Sequence, residues 1–178
     1  MNILIGVTGS IAAYKAYDIA RALKKDGHCV RCMLSPGGEK FINKLTMESL
    51  LLEEVLYDMW DENSDDKRSI HIRTAEWADL IAVVPASADF MARIAYGMAD
   101  CVLSATVLAA VCKKLIAPAM HTNMWQNPIT QDNVSRLIQF DFEFIGPVEG
   151  ELCDGSVGSG HIAPNDQILQ AIKMQTSK

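Results

Sequence analysis

Strand-like and helix-like segments alternate along the whole chain, and this alternation constrains the fold more than any other feature of the sequence. Apolar runs rich in Ile, Leu and Val are each followed by a segment with apolar residues at helical spacing. Strands joined through helices in this way run parallel, and their helices cover both faces of the sheet. The sequence therefore predicts an α/β protein with a doubly wound parallel sheet of about five strands.

This arrangement is that of flavodoxin-like and Rossmann-like domains. The predicted strands are Ile3–Val7, Cys29–Leu34, Leu80–Val84, Lys114–Ile116 and Phe142–Ile145. The predicted helices are Ile11–Lys25, Gly38–Leu45, Met47–Leu56, Ala88–Tyr96, Asp100–Val111, Thr130–Phe140 and Asp166–Gln175. Ser10 can cap the start of the first helix, and Gly27 can take the C′ position after it. With 178 residues and no internal repeat, we expect one domain over residues 1–178.

The composition argues against several classes of protein. The net charge is −6 and the pI is about 5.1, and no basic cluster is longer than Lys24-Lys25 or Lys113-Lys114, so no nucleic-acid partner is expected. The apolar N-terminus lacks the basic start and cleavage site of a signal peptide, and no apolar run reaches membrane-spanning length. We expect a cytoplasmic protein with no membrane partner.

The 5 cysteines do not have the pattern of a disulfide framework or a metal site. Cys29 and Cys32 form a C-x-x-C, but they lie in a strand-like segment, and no second C-x-x-C completes a zinc site. Because free cysteine is among the most buried residue types, we expect structural thiols and no bound metal.

The first strand ends at a small-residue loop that suits a phosphate. Gly6 and Gly9 allow a tight turn, and a helix that begins after Ser10 points N–H groups and the positive end of its dipole at an anion. The spacing matches neither GxGxxG nor GxxxxGK[ST]. On this loop alone, phosphate binding and a turn without a ligand remain equally open.

Small hydroxyl residues and prolines also follow the other strands. Ser35-Pro36 follows the second, PASAD at 85–89 the third, and PAMHTNMW at 118–125 the fourth. Ligands of open parallel sheets bind beyond the carboxyl ends of the strands, and this lining suits a flat ligand with a phosphate tail. For any single loop, ordinary loop chemistry with Ser and Asp as helix caps is the alternative.

Together these segments resemble the flavin-containing cysteine decarboxylases over roughly the whole chain. The motifs appear in the order of that family: GVTGSIAAYK at 6–15, FIN at 41–43, HI at 71–72, WADLIAVVPASAD at 77–89, GMADCVLSAT at 97–106 and APAMHTNMW at 117–125. The resemblance implies an enzyme with a small cysteine-containing substrate. It also implies FMN at the boundary between subunits of a homotrimer, or of a dodecamer of trimers.

The resemblance assigns roles by motif position. Gly9, Ser10 and Ser35 would hold the FMN phosphate, and His71 matches the active-site base of the family. The other implied cofactor residues are Ile11, Pro85, Ala86, Ser87, Ala88, Asp100, Leu103, Ser104 and Met120. The implied substrate residues, in the loop after the fourth strand, are His121, Asn123 and Met124.

The implied reaction is decarboxylation of a cysteine carboxylate, with 4′-phosphopantothenoylcysteine of coenzyme A biosynthesis as the expected substrate. Loss of CO₂ needs an electron sink, which oxidised flavin creates by turning the CH₂–SH carbon into a thioaldehyde. A base must take the thiol proton, and histidine titrates near working pH. On the residues alone, His71 in the strand-like SIHIR is better explained as a core or edge histidine.

The chain departs from the family pattern at two places. The family's PAMN, whose Asn binds the substrate carboxylate, has His121 in place of that Asn. The segment ELCDGSVGSGHIAP resembles the family's ACGDxGxGRM clamp, and we expect a flexible Gly-rich clamp loop at about 149–163. Here Cys153 comes one position early, and Asp154 takes the place of the cysteine that protonates the enethiolate. Cys153 and Asp154 are both candidate acids, and a solvated Gly/Ser loop is the alternative.

These departures keep two other functions open. One is an oxidative peptidyl-cysteine decarboxylase, which leaves an enethiol product. The other is an FMN-binding regulatory or accessory flavoprotein with impaired catalysis. A flavin prenyltransferase fits less well, since no basic and tyrosine pocket for a prenyl phosphate is evident. A separate synthetase chain is a further expected partner.

Overall fold

A five-stranded parallel sheet forms the centre of the computed structural model, which describes residues 1–60 and 68–176. Its strands are β1 Asn2–Val7, β2 Cys29–Leu34, β3 Leu80–Ala86, β4 Lys113–Pro118 and β5 Phe142–Phe144. Their order across the sheet is β2-β1-β3-β4-β5, with every pair parallel. The predicted α/β class, the doubly wound sheet and its five strands are confirmed.

Helices pack on both faces of this sheet. They are α1 Lys15–Lys25, α2 Lys44–Leu51, α3 Ile70–Trp77, α4 Ala88–Ala95, α5 Val102–Ala109, α6 Thr122–Trp125, α7 Pro128–Gln139 and α8 Asn165–Thr176. Adjacent strand residues point to opposite faces, so Ile3 and Ile5 pack with α1, α2 and α8, while Leu4 packs with α3, α4, α5 and α7. Burial on both faces explains why the strands are continuously apolar rather than alternating.

The predicted ends of the first helix are confirmed. Ser10 is an N-cap whose Oγ accepts a hydrogen bond from the Ala12 backbone N–H at 3.4 Å, and a short 3₁₀ turn over Ile11–Tyr14 leads into α1. Gly27 follows the helix with φ +85°, the left-handed conformation that favours glycine.

The helices predicted over 38–45 and 47–56 have different boundaries in the structure. A 3₁₀ turn covers only Gly38–Lys40, and α2 covers Lys44–Leu51. The reason is local, because the Oδ1 of Asn43 accepts a hydrogen bond from the Thr46 N–H at 3.0 Å and so starts the helix there.

The strand-like interpretation of the His71 segment is wrong. His71 lies in α3, whose buried face carries Thr74 and Ala75. Ser69 stands at the start of this helix. The alternation in SIHIR spans too few residues to separate a strand from one turn of an amphipathic helix.

The predicted Gly-rich loop at 149–163 contains an antiparallel hairpin. Its strands are β6 Val148–Glu151 and β7 Val157–His161. The sequence analysis assigned no strand here, because glycine weakens strand propensity. We call this element the clamp hairpin below.

Cys29 and Cys32 lie in β2, as predicted. Cys29 is exposed and Cys32 is fully buried, which is expected for residues three apart in a strand, where side chains point to opposite faces. All five cysteines are free thiols.

Candidate active site

The loops after β1 and β3 are joined by the buried side chain of Thr8. Its Oγ1 donates to the Pro85 carbonyl at 2.8 Å and accepts from the Ser87 N–H at 2.8 Å. Thr8 has no exposed surface. The strand-end loops are therefore fixed relative to each other through a residue that the sequence analysis did not single out.

The loop after β2 packs against the first loop through glycine. A Cβ built on Gly9 would lie 3.2 Å from the Gly37 Cα, and one built on Gly38 would lie 2.2 Å from the Val7 carbonyl oxygen. Only glycine permits the contact at Gly38, and a side chain at Gly9 would push the two loops slightly apart. The Ser35 Oγ accepts from the Gly38 N–H at 3.1 Å, which fixes the hydroxyl at this junction.

A cavity of about 450 Å³ lies where these loops meet, at the carboxyl edge of the sheet. It is lined by Gly9, Ser10, Ser35, Pro36, Gly37, Ser87, Ala88, Asp89, Phe90, Arg93, Asp100, Cys101, Ala119, Met120 and Met124. We call it the first cavity. Its position matches the rule for open parallel sheets, and its size is that of a small-molecule site.

Most of the predicted cofactor residues meet at this cavity. The predicted residues that line it are Gly9, Ser10, Ser35, Ser87, Ala88, Asp100 and Met120. Ser10 and Ser35 use their Oγ as acceptors for backbone N–H groups, so each hydroxyl hydrogen can still be donated to an anion. The cradle thus fits a phosphate group.

The remaining predicted cofactor residues do not line the first cavity. Pro85, Ala86 and Leu103 are buried, and Leu103 instead fills the space beside Gly6. Ser104 is fully buried as well, and its Oγ donates to the Cys101 carbonyl at 3.1 Å within the first turn of α5. These residues lie in the strand and helix from which the cavity-lining loops extend, so they support the loops and do not contact the cavity.

Arg93 lines the first cavity and was missed by the sequence analysis. Its Nε donates to Asp89 Oδ2 at 3.0 Å, and its guanidinium also pairs with Asp100. The hydrogen bond that Arg93 donates to Asp89, followed by the one it donates to Asp100, raises the pKa of the guanidinium. The spacing of four residues between Asp89 and Arg93 on a helix is the signal that could have revealed it.

A second cavity of about 410 Å³ adjoins the first. It is lined by Ser10, Ile11, Ala12, Tyr14, Lys15, Ala119, Met120, His121, Glu151, Leu152, Cys153, Gly160, His161 and Ile162. Ser10, Ala119 and Met120 line both cavities. Predicted cofactor residue Ile11 and predicted substrate residue His121 therefore lie in this second cavity, under the clamp hairpin.

Lys15 adds a cation to the second cavity. Burial lowers the pKa of its ammonium group, because desolvation disfavours the charged form. A substrate anion that entered this cavity would offset that desolvation.

His121 and Asp154 form a contact between the loop after β4 and the clamp hairpin. The His121 Nε2 lies 3.3 Å from Asp154 Oδ2. Hydrogen bonds from the Ser156 hydroxyl and N–H lower the pKa of the Asp154 carboxyl, and the electrostatic influence of the neighbouring His121 acts in the same direction. Asp154 is therefore ionised at neutral pH and is poorly suited to donate a proton, which favours Cys153 over Asp154 as the acid.

The other predicted residues divide between the cavities and the surface. Met124 lines the first cavity, and Asn123 is exposed, with its backbone N–H on the His121 ring. His71 lines neither cavity. It is half-buried on α3, and its Nδ1 is buried without a hydrogen-bond partner among the described residues.

Within residues 1–60 and 68–176, His, Cys, Asp and Glu side chains form no group of three suited to hold a metal ion. No helix in the same ranges has the length and apolar character needed to cross a membrane.

Comparison with known proteins points to one family. A model of the Flavoprotein family matches residues 1–177. The chain is 41% identical over 177 residues to a probable phosphopantothenoylcysteine decarboxylase of Streptococcus mutans, with 98% of each chain covered. It is 37% identical over 171 residues to the coenzyme A biosynthesis bifunctional protein CoaBC of Haemophilus influenzae, covering 96% of this chain and 42% of that one.

Solved structures agree in fold over nearly the whole chain. A PPC decarboxylase mutant complexed with pantothenoylaminoethenethiol superimposes with a TM-score of 0.91 at 26% identity, covering 99% of this chain and 98% of that one. The FMN-dependent cysteine decarboxylase SpaF superimposes with a TM-score of 0.82 at 28% identity, covering 99% and 97%. The similarity thus extends through the strand-end loops and the clamp hairpin.

Proposed function

The chain belongs to the Flavoprotein family, and from this premise we propose that it is an FMN-dependent carboxy-lyase that converts 4′-phosphopantothenoylcysteine to 4′-phosphopantetheine in coenzyme A biosynthesis. The predicted resemblance is confirmed by the family match and by the Streptococcus mutans relative, which is named a probable phosphopantothenoylcysteine decarboxylase. The observation that carries the proposal is the first cavity, where the loops after β1, β2 and β3 form a cradle of glycine and serine that fits an anion.

The residues of this cradle fit FMN. Ser10 and Ser35 would donate hydroxyl hydrogens to the phosphate, and Gly9 and Gly37 let the backbone approach it closely. Ser87 and Ala88, at the start of α4, line the same cavity and would lie along the rest of the cofactor. Bound FMN would supply the electron sink that allows CO₂ to leave and would return the electrons afterwards.

The protein must orient the substrate and move two protons. The second cavity joins the first at Ser10 and Met120 and would hold the substrate under the clamp hairpin. Lys15 lines this cavity and provides a cation for a substrate anion. His71 would accept the substrate thiol proton, and Cys153 would give a proton to the α-carbon of the enethiolate left after CO₂ departs. Overall one proton replaces CO₂, and no net oxidation occurs.

His71 would reach the substrate only from a neighbouring copy of the chain. It lies on α3 and lines neither cavity of its own chain. We therefore propose a homotrimer, or a dodecamer of trimers, with FMN at the subunit boundary. Exposed apolar side chains support self-association, since Tyr96, Leu108 and Phe140 are each about 60% exposed around an apolar groove between α4, α5 and α7.

The cellular setting follows from the same proposal. All five cysteines are free thiols, which is typical of a reducing compartment, and we propose that the protein acts in the cytoplasm. A chain or domain that synthesises the cysteine-containing substrate is its proposed partner.

The test uses purified, FMN-loaded protein and 4′-phosphopantothenoylcysteine. We expect release of CO₂ and formation of 4′-phosphopantetheine, measured by mass spectrometry. A His71→Asn variant should bind FMN normally and lose turnover. Absence of CO₂ release by the wild-type protein would refute the proposal.

A second candidate is an oxidative decarboxylase, which releases the enethiol without reducing it. Two features favour it: Cys153 comes one position early, and Asp154 is ionised. Both affect protonation of the enethiolate, the step that an oxidative decarboxylase omits. The same mass spectrum separates the two products by two hydrogens.

A further inference from the structure

The two places where this chain departs from the family pattern contact each other. His121 replaces the asparagine after PAM, and Asp154 replaces the cysteine of the clamp. They are 33 residues apart in sequence, yet His121 Nε2 and Asp154 Oδ2 are 3.3 Å apart. The two departures therefore meet in one contact.

The hydrogen bonds around this pair fix the imidazole tautomer. The Asn123 N–H donates to His121 Nδ1 at 3.1 Å, so the ring hydrogen is on Nε2, the nitrogen that lies 3.3 Å from Asp154 Oδ2. The other carboxylate oxygen of Asp154 accepts from the Ser156 N–H at 3.0 Å and from the Ser156 hydroxyl at 2.7 Å. Both residues are thus already engaged with protein groups.

The base of the clamp hairpin is docked beside the same loop. The Met120 N–H donates to the Gly160 carbonyl at 3.0 Å. A Cβ on Gly158 would lie 2.3 Å from Thr122 Oγ1, and one on Gly160 would lie 2.3 Å from the Met120 carbonyl oxygen. These contacts hold β7 against the start of α6, and the His121–Asp154 pair extends the attachment to the hairpin turn.

The hairpin turn that carries Asp154 also carries the Cys153 thiol. Cys153 lines the second cavity together with Ser10 and Met120, which also line the first. Asp154, the next residue, contacts His121 and does not line the second cavity. The two adjacent side chains of the turn therefore face different surroundings.

We propose that the His121–Asp154 pair is a positioning element that holds the turn of the clamp hairpin on the start of α6 and so keeps the Cys153 thiol at the substrate. This inference rests on the proposed decarboxylase function. The thiol proton would pass from Cys153 Sγ to the α-carbon of the enethiolate, and FMN held in the first cavity would supply the two electrons that complete the reduction, having taken two from the substrate. Solvent reprotonates the Cys153 thiolate.

The first experiment measures the product ratio in FMN-loaded variants. In His121→Ala and Asp154→Asn, the ratio of enethiol to 4′-phosphopantetheine should rise about two- to fivefold, the size expected for loss of one exposed side-chain pair. The ratio in the double variant should be no higher than in the more affected single variant, because the two residues act as a unit. Glu149→Gln removes a carboxylate from the same hairpin outside both cavities and should leave the ratio unchanged. Equal ratios in wild type and the three pair variants, or additive effects, would overturn the proposal.

The second experiment does not depend on turnover. Amide hydrogen exchange should become faster over residues 152–156 in His121→Ala and not in Glu149→Gln, because only the first change releases the turn. Unchanged exchange in His121→Ala would show that the pair does not hold the hairpin. If the wild-type protein releases no CO₂, the proposed function fails, and the exchange measurement still decides whether the attachment exists.

Discussion

Replacing Thr8 by valine tests whether one buried hydroxyl holds the active-site loops together. Thr8 has no exposed surface, and its Oγ1 bonds to the Pro85 carbonyl and the Ser87 N–H, each at 2.8 Å. Valine has a similar shape but lacks the hydroxyl. The Pro85 carbonyl would keep the Thr8 backbone N–H at 3.3 Å, whereas the Ser87 N–H would lose the partner shown here.

The expected loss follows from these two bonds. Leaving a buried donor without a partner costs about 1–3 kcal/mol, and we expect the free energy of unfolding of Thr8→Val to fall by that amount. For a chain of this size, each kcal/mol lowers Tm by roughly 2–4 °C. FMN affinity should fall as well, because Ser87 and Ser10 line the first cavity on either side of this link.

Urea unfolding of the FMN-free protein, followed by circular dichroism at one protein concentration, measures the change. Thr130→Val is the matched control, since Thr130 is also buried and its hydroxyl makes no hydrogen bond with the described residues. A Thr8→Val stability equal to that of Thr130→Val would refute the role assigned to Thr8.

The remaining predictions concern the cradle and a buried thiol. Gly38→Ala should destabilise the protein by more than about 2 kcal/mol, because its Cβ would lie 2.2 Å from the Val7 carbonyl oxygen. Gly97→Ala has open space around it and should cost only about 1 kcal/mol, for its positive φ. Thermal unfolding compares the stabilities of the two variants. Ser35→Ala should weaken FMN binding about tenfold in a fluorescence titration and, because the buried Gly38 N–H loses its partner, lower the free energy of unfolding by about 1–3 kcal/mol; an unchanged Kd would remove Ser35 from the phosphate site. Burial raises the pKa of the Cys32 thiol to about 12, so the unfolded chain loses this proton first and stability should fall as the pH rises from about 9 towards 12. Cys32→Ala should lack this component of the pH dependence, and an identical slope in both proteins would contradict it.

Local sequence was sufficient for the elements whose signals lie within a few residues. The apolar run from Ile3 to Val7 predicted a strand buried on both faces, and Ser10 and Gly27 predicted the ends of the first helix. The alternation of such elements then fixed a parallel sheet and placed the ligand at its carboxyl edge, where the first cavity lies.

The sequence failed where several local structures had similar free energies. SIHIR is compatible with a strand or a helix, and packing of Thr74 and Ala75 in the interior selects the helix of α3. The glycine-rich clamp has weak propensity of its own, and its pairing into β6 and β7 depends on contact with the start of α6.

The sequence by itself determined the fold class, the family resemblance and the glycine and serine cradle, because these depend on periodicity and on motifs of adjacent residues. Only the tertiary structure decided which residues share a site. Thr8 meets Ser87 across 79 positions, and His121 meets Asp154 from a different element. Such contacts arise when the sheet and its loops are packed together, and no local pattern specifies the partner of a side chain that lies so far away along the chain.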